Sequence, residues 1–519
     1  MRQIKLTIIL SLLFSVSSFS QIQIEKGKQI NLKHANSLKG DKRQGYQRLI
    51  GAVAFEQEGM VLTCDSAHFY NEANSLNAFG HVHIQQGDSL NIYSDILKYN
   101  GNERIAELKK NVRMIEKDMT LTTDAITYDI NAKLAIYTSG GKIINNDNIL
   151  TSQIGTYSTQ GKVLTFKKNV LLVNPEYIMK CDTLQYMPIS KTSYFVGPTT
   201  IKAENGSNII YCENGYYNTL TDICQFQKNA YIITNDQTIK GDSIWYNRKI
   251  GIGKAMKNVK LIDTTQDITI LGDLAIHYEF LDQSMVTGNA LFIQAFQEDS
   301  LFLHADTLKS IKIYEKKEIN KKNKKSVINS EPKRIILAYQ HVKFYKNDLQ
   351  GKCDSLSWSS TDSTMHLYHD PVLWTGGNQL TAKQVSIITS HGKILKLNMD
   401  ENAFIVAQED SSRFNQIKGK KMTGYFIKNE LNSIYVEGNG QTLYYAKDKD
   451  LIMGVNRTDC SSLLIRLKDQ KVKSITFYNH PEATLYPPLD LPPKEALLKD
   501  FIWRANEQPK SVNELFIKK

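Results

Sequence analysis

An all-β chain of stacked, bent antiparallel hairpins is the fold class that this sequence predicts. Three observations predict it. An acidic or polar residue recurs every 29 to 31 residues, a turn-prone marker follows most of these by 16 residues, and the apolar positions change parity at the first marker. Self-similarity at such a period means copies of one small unit stacked on each other.

The first marker, taken as position zero, is Asp65, Asp95, Asp124, Gln153, Asp182, Glu213, Asp242 and Asp273, followed at longer gaps by Asp306, Asp354 and Lys383. Residue −1 is small throughout, as in Cys64, Ser94, Thr123, Cys181, Cys212 and Gly241. Residue −3 is usually apolar, as in Leu62, Ile92, Leu121, Met179, Ile210, Ile239 and Ile270. At +2 and +4 stand the pairs Leu97/Tyr99, Ile126/Tyr128, Leu184/Tyr186, Ile244/Tyr246 and Leu356/Trp358. Side chains alternate faces along a strand, so apolar residues at odd offsets before zero and even offsets after it require a bulge or sharp bend. A small residue beside a carboxylate suits that corner, because the carboxylate can accept backbone N–H groups that the bend leaves unpaired. Asp65, Asp95, Asp124, Asp182, Asp242, Asp273 and Asp354 are the expected corner formers.

The second marker reads Gly80-His81-Val82, Lys110-Asn111-Val112, Lys168-Asn169-Val170, Lys228-Asn229-Ala230, Lys257-Asn258-Val259 and Gly288-Asn289-Ala290. Gly and Asn tolerate left-handed backbone, which suits a facing corner. Between the markers lie hairpin signals such as Asn100-Gly101-Asn102 and Asn218-Thr219. Each repeat is therefore two strands bent at one level, and the stack is a folded sheet with a trough along its axis. Repeats two strands wide advance by about 10 Å, so the array is expected to be elongated.

Around this array the chain divides into 1–20, 21–45, 46–310, 311–335, 336–486 and 487–519. Arg2 and Lys5 precede an apolar run that ends in Ser18-Phe19-Ser20, which predicts a cleavable signal peptide and an exported protein. Residues 21–45 read as an irregular lead-in, while 46–310 and 336–486 hold the repeats. The insert at 311–335 carries eight basic side chains against two acidic ones over 316–334, and it reads as a solvated basic loop. That loop and the signal peptide account for most of the net charge of +11, leaving the repeat body nearly neutral and arguing against a nucleic-acid partner. Past Tyr486, Pro487-Pro488 and Pro492-Pro493 stop any strand. Lys494 to Asn506 then predicts a short helix carrying Leu497, Leu498, Phe501 and Ile502, which either caps the open sheet edge or docks to a neighbour.

Cys64, Cys181, Cys212 and Cys353 all fill the −1 slot, where smallness explains them, and they are expected to be free thiols. Cys224 and Cys460 lie outside that slot. No nucleophile elbow, phosphate loop or metal spacing is present. His81 and His83 have no Cys or carboxylate at zinc-like spacing, and Lys383 in the acidic column argues against a metal ladder. The expectation is a protein with no catalytic activity, no metal and no cofactor.

The series SDILKY (94–99), TDAITY (123–128), CDTLQY (181–186) and GDSIWY (241–246), each joined to a K-N-V or G-N-A element, resembles the OstA/LptA family of lipopolysaccharide-transport proteins. The likeness runs over about 50–300 and more loosely over 340–445. It implies an elongated β-jellyroll in the periplasm, outer-membrane associated, which shields lipopolysaccharide acyl chains between the inner and outer membranes. It also implies partners joined end to end at sheet edges, with self-association. The lipid-lining candidates are Leu97, Tyr99, Ile126, Tyr128, Leu184, Tyr186, Ile244, Tyr246, Leu356 and Trp358, although ordinary core packing is the simpler explanation of any one of them taken alone. The alternatives are a structural or adhesive surface β-solenoid without lipid cargo, and a β-helix glycosidase or lyase, which the mid-repeat hairpins disfavour.

Overall fold

The computed structural model describes residues 29–41, 45–158, 163–206, 208–235, 237–265, 267–296, 299–313, 333–390, 393–428, 430–448, 451–468 and 471–517. The expected signal peptide at 1–20, residues 21–28 of the lead-in and 314–332 of the basic insert lie outside these residues. Two compact units divide the chain, one of 1–146 with 153–160 and the other of 147–152 with 161–519. Both are built from antiparallel strands joined by hairpins, and the chain is all-β.

One pair of strands in the first unit shows how the sequence bends. Along Leu90–Asn100 the buried residues are Leu90, Ile92 and Ser94, then Leu97 and Tyr99, so the parity changes at Asp95. On the facing strand, Ser75–Gln86, the buried set Leu76, Ala78, Val82 and Ile84 keeps its parity. Phe79 opposes Ile96 and Val82 opposes Ser94, which leaves Gly80 and His81 facing Asp95 alone. Both extra residues have positive φ, 75° and 39°. This is a bulge that folds both strands at one level.

The same two-against-one register recurs along each unit. In the first, Lys110-Asn111 faces Asp124. In the second, Lys168-Asn169 faces Asp182, Lys228-Asn229 faces Asp242, and Lys257-Asn258 faces Asp273. Gly288-Asn289 faces Asp306, and Gln340-His341 faces Asp354. Asn supplies the left-handed residue because its short polar side chain tolerates that region.

The carboxylates take side-chain partners rather than the backbone N–H groups expected. Asn111 Nδ2 donates to Asp95 at 2.7 Å, Asn229 Nδ2 to Glu213 at 2.7 Å, Asn258 Nδ2 to Asp242 at 3.1 Å and Asn289 Nδ2 to Asp273 at 3.1 Å. At Asp65 the partner is His81 Nδ1, 2.7 Å away, and at Asp306 it is His341 Nδ1, 2.8 Å away. Asp65 raises the His81 pKa through that hydrogen bond. Where the column holds Lys383, the polarity is reversed and its Nζ pairs with Glu401 at 2.7 Å. Gln153 falls between strands Asn148–Ser152 and Ile154–Ser158, where the chain passes from the second unit back to the first.

Gly288 illustrates the fit at a crease. Its φ is +75°, and a Cβ there would lie 2.7 Å from Asp273 Cβ. Gly288→Ala is therefore expected to cost about 1–3 kcal/mol through left-handed strain and the clash. A fall in the chemical-denaturation midpoint measures that cost, and an unchanged midpoint would contradict the crease geometry.

Three expectations change. The lead-in is not irregular throughout, because Asn31–His34 and Ser37–Asp41 are strands, both paired with Tyr46–Gln57. The margins of the basic insert are strand as well, with Ser300–Ile313 pairing to Lys333–Lys346. In the tail, the described residues form no α-helix at 494–506 but turns, with short 3-10 segments at Ala505–Glu507 and Val512–Phe516. The backbone groups that a helix would pair internally are taken by side chains of the sheet, as described below.

Candidate functional site

Bending every strand at the same level makes two walls. The first wall holds the legs on the −3 side of each crease, and the second holds the legs on the +2 side. Residues at −1, −3, +2 and +4 face inward between the walls, forming a V in each unit.

In the first unit the V is packed shut. Leu97 opposes Leu108, which in turn opposes Ile126, and Tyr99 and Tyr128 flank Ala106 in the same way. All four lipid-lining candidates here are buried. Their hydroxyls explain why the mouth is closed. Tyr99 donates to Gln57 Oε1, Tyr128 to Gln86 Oε1 at 2.8 Å and Tyr157 to Glu116, each crossing from the second wall to the first, and Arg104 pairs with Glu58 across the same gap. Burial pushes the Tyr99 hydroxyl up to about 12, so it stays protonated and donates. These tyrosines are latches.

The second unit differs between residues 163 and 313. In its second-wall column, Leu184–Phe195–Gly215–Phe226–Ile244, all but the half-buried Gly215 are buried near the crease. Phe195 and Phe226, with ring centroids 6.2 Å apart, were not among the sequence candidates. A signal did exist, since each lies 13 residues past its marker, where Ala78 and Leu108 stand in the first unit.

Nearer the mouth the inward residues are half-exposed, including Tyr186, Tyr246, Ile210, Ile239 and Ile270. Their −3 counterparts Leu62, Ile92 and Leu121 in the first unit are buried. The tyrosines here bond along their own rim, Tyr246 to Glu279 and Tyr217 to Asp222 at 3.1 Å. Among the described residues, no tyrosine of this stretch reaches the facing rim by a hydrogen bond. On the first wall, Met179, Ile201, Ile210, Ile232, Ile239, Leu261, Ile270 and Phe292 oppose one another strand after strand, forming a continuous apolar floor.

From Lys333 onward the V is again largely filled, with Leu356 buried and Trp358 half-exposed. Here the tail, 487–517, crosses the strands. Gln416, Gln379 and Gln350 project from the first wall on the side opposite Ile417, Leu380 and Gly351, which places the tail on the outer face rather than over the sheet edge. Gln416 Nε2 donates to Ala496 O at 3.0 Å and its Oε1 accepts from Leu498 N at 2.8 Å. Gln379 repeats this two-point contact with Ile502 O at 2.7 Å and Arg504 N at 2.6 Å. Leu498, 2% exposed, completes a cluster with Phe404, Val406, Leu443, Tyr445 and Val455, flanked by Phe501 and Trp503. The tail ends with Phe516 against the His304 ring, 4.6 Å between centroids.

Glu507 anchors the tail through Arg504 and through Lys352 at 2.6 Å. The hydrogen bonds from these two residues lower its pKa to about 2. A carboxylate depressed in the folded state stabilises it fully above the unfolded value near 4.5, and that contribution is lost as pH falls through about 2. Protease cleavage within 500–510 is therefore expected to rise between about pH 4.5 and 2 in wild type, and to lose this pH dependence in Glu507→Gln.

The six cysteines are free. Burial pushes the Cys64, Cys181, Cys212 and Cys353 thiols up to about 12, and Cys224 to about 11, which leaves them unreactive at neutral pH. Among the described residues, no group of three His, Cys, Asp or Glu side chains could hold a metal. No helix of the described residues is long and apolar enough to cross a membrane, a statement that does not bear on β-barrels.

Residues 27–182 match the profile of the family described as OstA-like protein. The chain carries an OstA-like domain. Its match takes in the described first unit and ends at Asp182, on the crease of strand Tyr177–Met187. Among solved structures, this chain is similar to LptH of Pseudomonas aeruginosa, described as the LptA-homologous periplasmic component of the lipopolysaccharide transport device. Identity is 11%, coverage is 27% of this chain and 95% of that one, and the TM-score is 0.21. No curated protein matches the sequence.

Proposed function

We propose that this OstA-like protein is a non-enzymatic, periplasmic carrier that shields the acyl chains of lipopolysaccharide between the inner and outer membranes. The open V of the second unit is the part that holds them. One observation carries the reading: between Met179 and Phe292, which are buried, the inward residues Ile201, Ile210, Ile232, Ile239, Leu261 and Ile270 are apolar and half-exposed, with no tyrosine latch across the mouth among the described residues, whereas the equivalent residues Leu62, Ile92 and Leu121 of the first unit are buried under a latched mouth. A buried acyl methylene contributes about 0.8 kcal/mol, so several chains bind firmly on such a floor without polar recognition. A row of equivalent positions also lets a chain slide. The latches of the first unit favour a structural role for that unit, which presents neighbours with a rigid stack rather than a lipid site. Transport-bridge proteins are the expected neighbours, joined at sheet edges.

A photo-crosslinking residue in place of Tyr186 or Tyr246 is expected to label glycolipid in cells, while one in place of Tyr128 labels none. Equal labelling at Tyr128 and Tyr186, or none at either, would remove the basis for the carrier.

A further inference from the structure

We propose that the outer face of the first wall, between residues 171 and 293 of the second unit, docks an extended segment of a partner protein in which large apolar residues are spaced among aspartates and glutamates. The chain's own tail shows what this face binds. Leu498, Phe501 and Trp503 pack on it, while Lys352, Lys418 and Arg457 project from it to Glu507 at 2.6 Å, Asp500 at 2.8 Å and Glu495 at 2.5 Å. Glutamine side chains hold the tail by its backbone, which binds any extended segment regardless of sequence.

The tail ends over His304, but the face that it covers continues. Leu291 opposes His304 and Leu271 opposes Leu291, all on the outer side. Beyond them, Ile262, Ile233, Ile209 and Ile178 project outward on one row of strand partners, with Thr238 between the first two and Lys202 between the last two, half-buried or, at Ile233, 37% exposed. Exposed Lys180, Lys240 and Lys260 stand on the same face. Lys180 and Lys240 lie at offset −2 from their markers, the offset of Lys352, which binds the tail's Glu507.

The strand sequences carry the same sign. Under the tail, apolar runs are continuous, as in Val372-Leu373-Trp374 and Ala403-Phe404-Ile405-Val406, because both faces are buried. The strands beyond the tail have such runs too, in Leu171-Leu172-Val173, Ile209-Ile210-Tyr211 and Tyr231-Ile232-Ile233. In the first unit the outward rows hold more polar residues, with His83, Tyr93, Arg113, Thr122 and Lys142 on successive pairings, and Gln85, Asn91 and Thr120 interleaved with Val61, Ile115 and Ile144 on the next row. A strand apolar on both faces with only one covered calls for a second layer. Its lysines call for that layer to be acidic, as the tail is. Each copy's tail is already seated on its own strands, so the segment comes from another protein.

The test uses a fluorescent peptide of residues 491–517 as the probe, added to the full chain. Saturable binding is expected, with a benzophenone residue at position 233 crosslinking to the peptide. Reversing Lys180, Lys240 and Lys260 to Glu together, all exposed and outside the V, is expected to weaken binding about tenfold. Absence of binding, or binding indifferent to the charge reversal, overturns the proposal. So do crosslinks confined to position 443 beneath the chain's own tail, which would report exchange with that tail. A dimer of the full chain that Ile233→Glu dissolves would assign the face to self-association and overturn it as well.

Discussion

Leu498→Asp is expected to release the tail and expose the outer cluster of Phe404, Val406, Leu443, Tyr445 and Val455. Leu498 is the buried tail side chain in that cluster. Removing a buried leucine to alanine costs about 2–5 kcal/mol, and a carboxylate on an apolar cluster costs more unless it is protonated or paired. The two-point contact of Gln416 with the Leu498 region is lost at the same step, leaving a 1%-exposed glutamine beside newly admitted water. The loss is local rather than global, because the strands beneath keep their own ladder of hydrogen bonds. Rapid cleavage between 487 and 517 and increased binding of a hydrophobic dye are expected, with little change in far-ultraviolet circular dichroism. A tail that stays protease-resistant in Leu498→Asp would show that it is held by something other than this cluster.

The second large effect is a contrast between two isoleucines at the same offset. Ile270→Glu is expected to leave the second unit folded and to abolish glycolipid labelling from a crosslinker at position 246. Ile92→Glu is expected to unfold the first unit. Both sit at −3 and face inward, but Ile92 is fully buried under a latched mouth whereas Ile270 is half-exposed on an unlatched floor. A charge at the first has no water to reach, and large mutational losses arise where an unpaired charge is buried. At the second, the carboxylate is solvated and repels only an acyl chain. Urea denaturation of each variant, set beside crosslinking, separates the outcomes. Equal destabilisation by both would mean that the second V is packed like the first.

The crease was legible in the residues themselves. Asp at zero, a small residue at −1 and Asn or Gly at +16 are local requirements of a two-against-one bulge with positive φ, and each acts within its own pair of strands. The inward pairs at +2 and +4 were legible for the same reason. Their shared role was not, because Tyr128 and Tyr186 occupy the same offset, yet one hydroxyl meets Gln86 across the mouth and the other meets no facing hydrogen-bond partner among the described residues. What separates them is the residue 42 positions earlier, on the facing wall, and no local pattern marks that residue as a partner. The tail's helical spacing misleads for a similar reason. Leu497, Leu498, Phe501 and Ile502 have helical spacing, but glutamines eighty or more residues upstream take up the backbone groups that a helix would have used. The continuous apolar runs at 372–374 and 403–406 were the available sign that a second layer covers those strands.

Repeat length, crease position, wall parity and the all-β class follow from the sequence alone, since each depends on backbone conformation and alternation over a few residues. Which stretch of the V is latched, which is open and which outer face the tail covers were decided only by tertiary structure. Those outcomes rest on pairs of polar groups tens to hundreds of residues apart, and such pairs come together only after the strands are stacked.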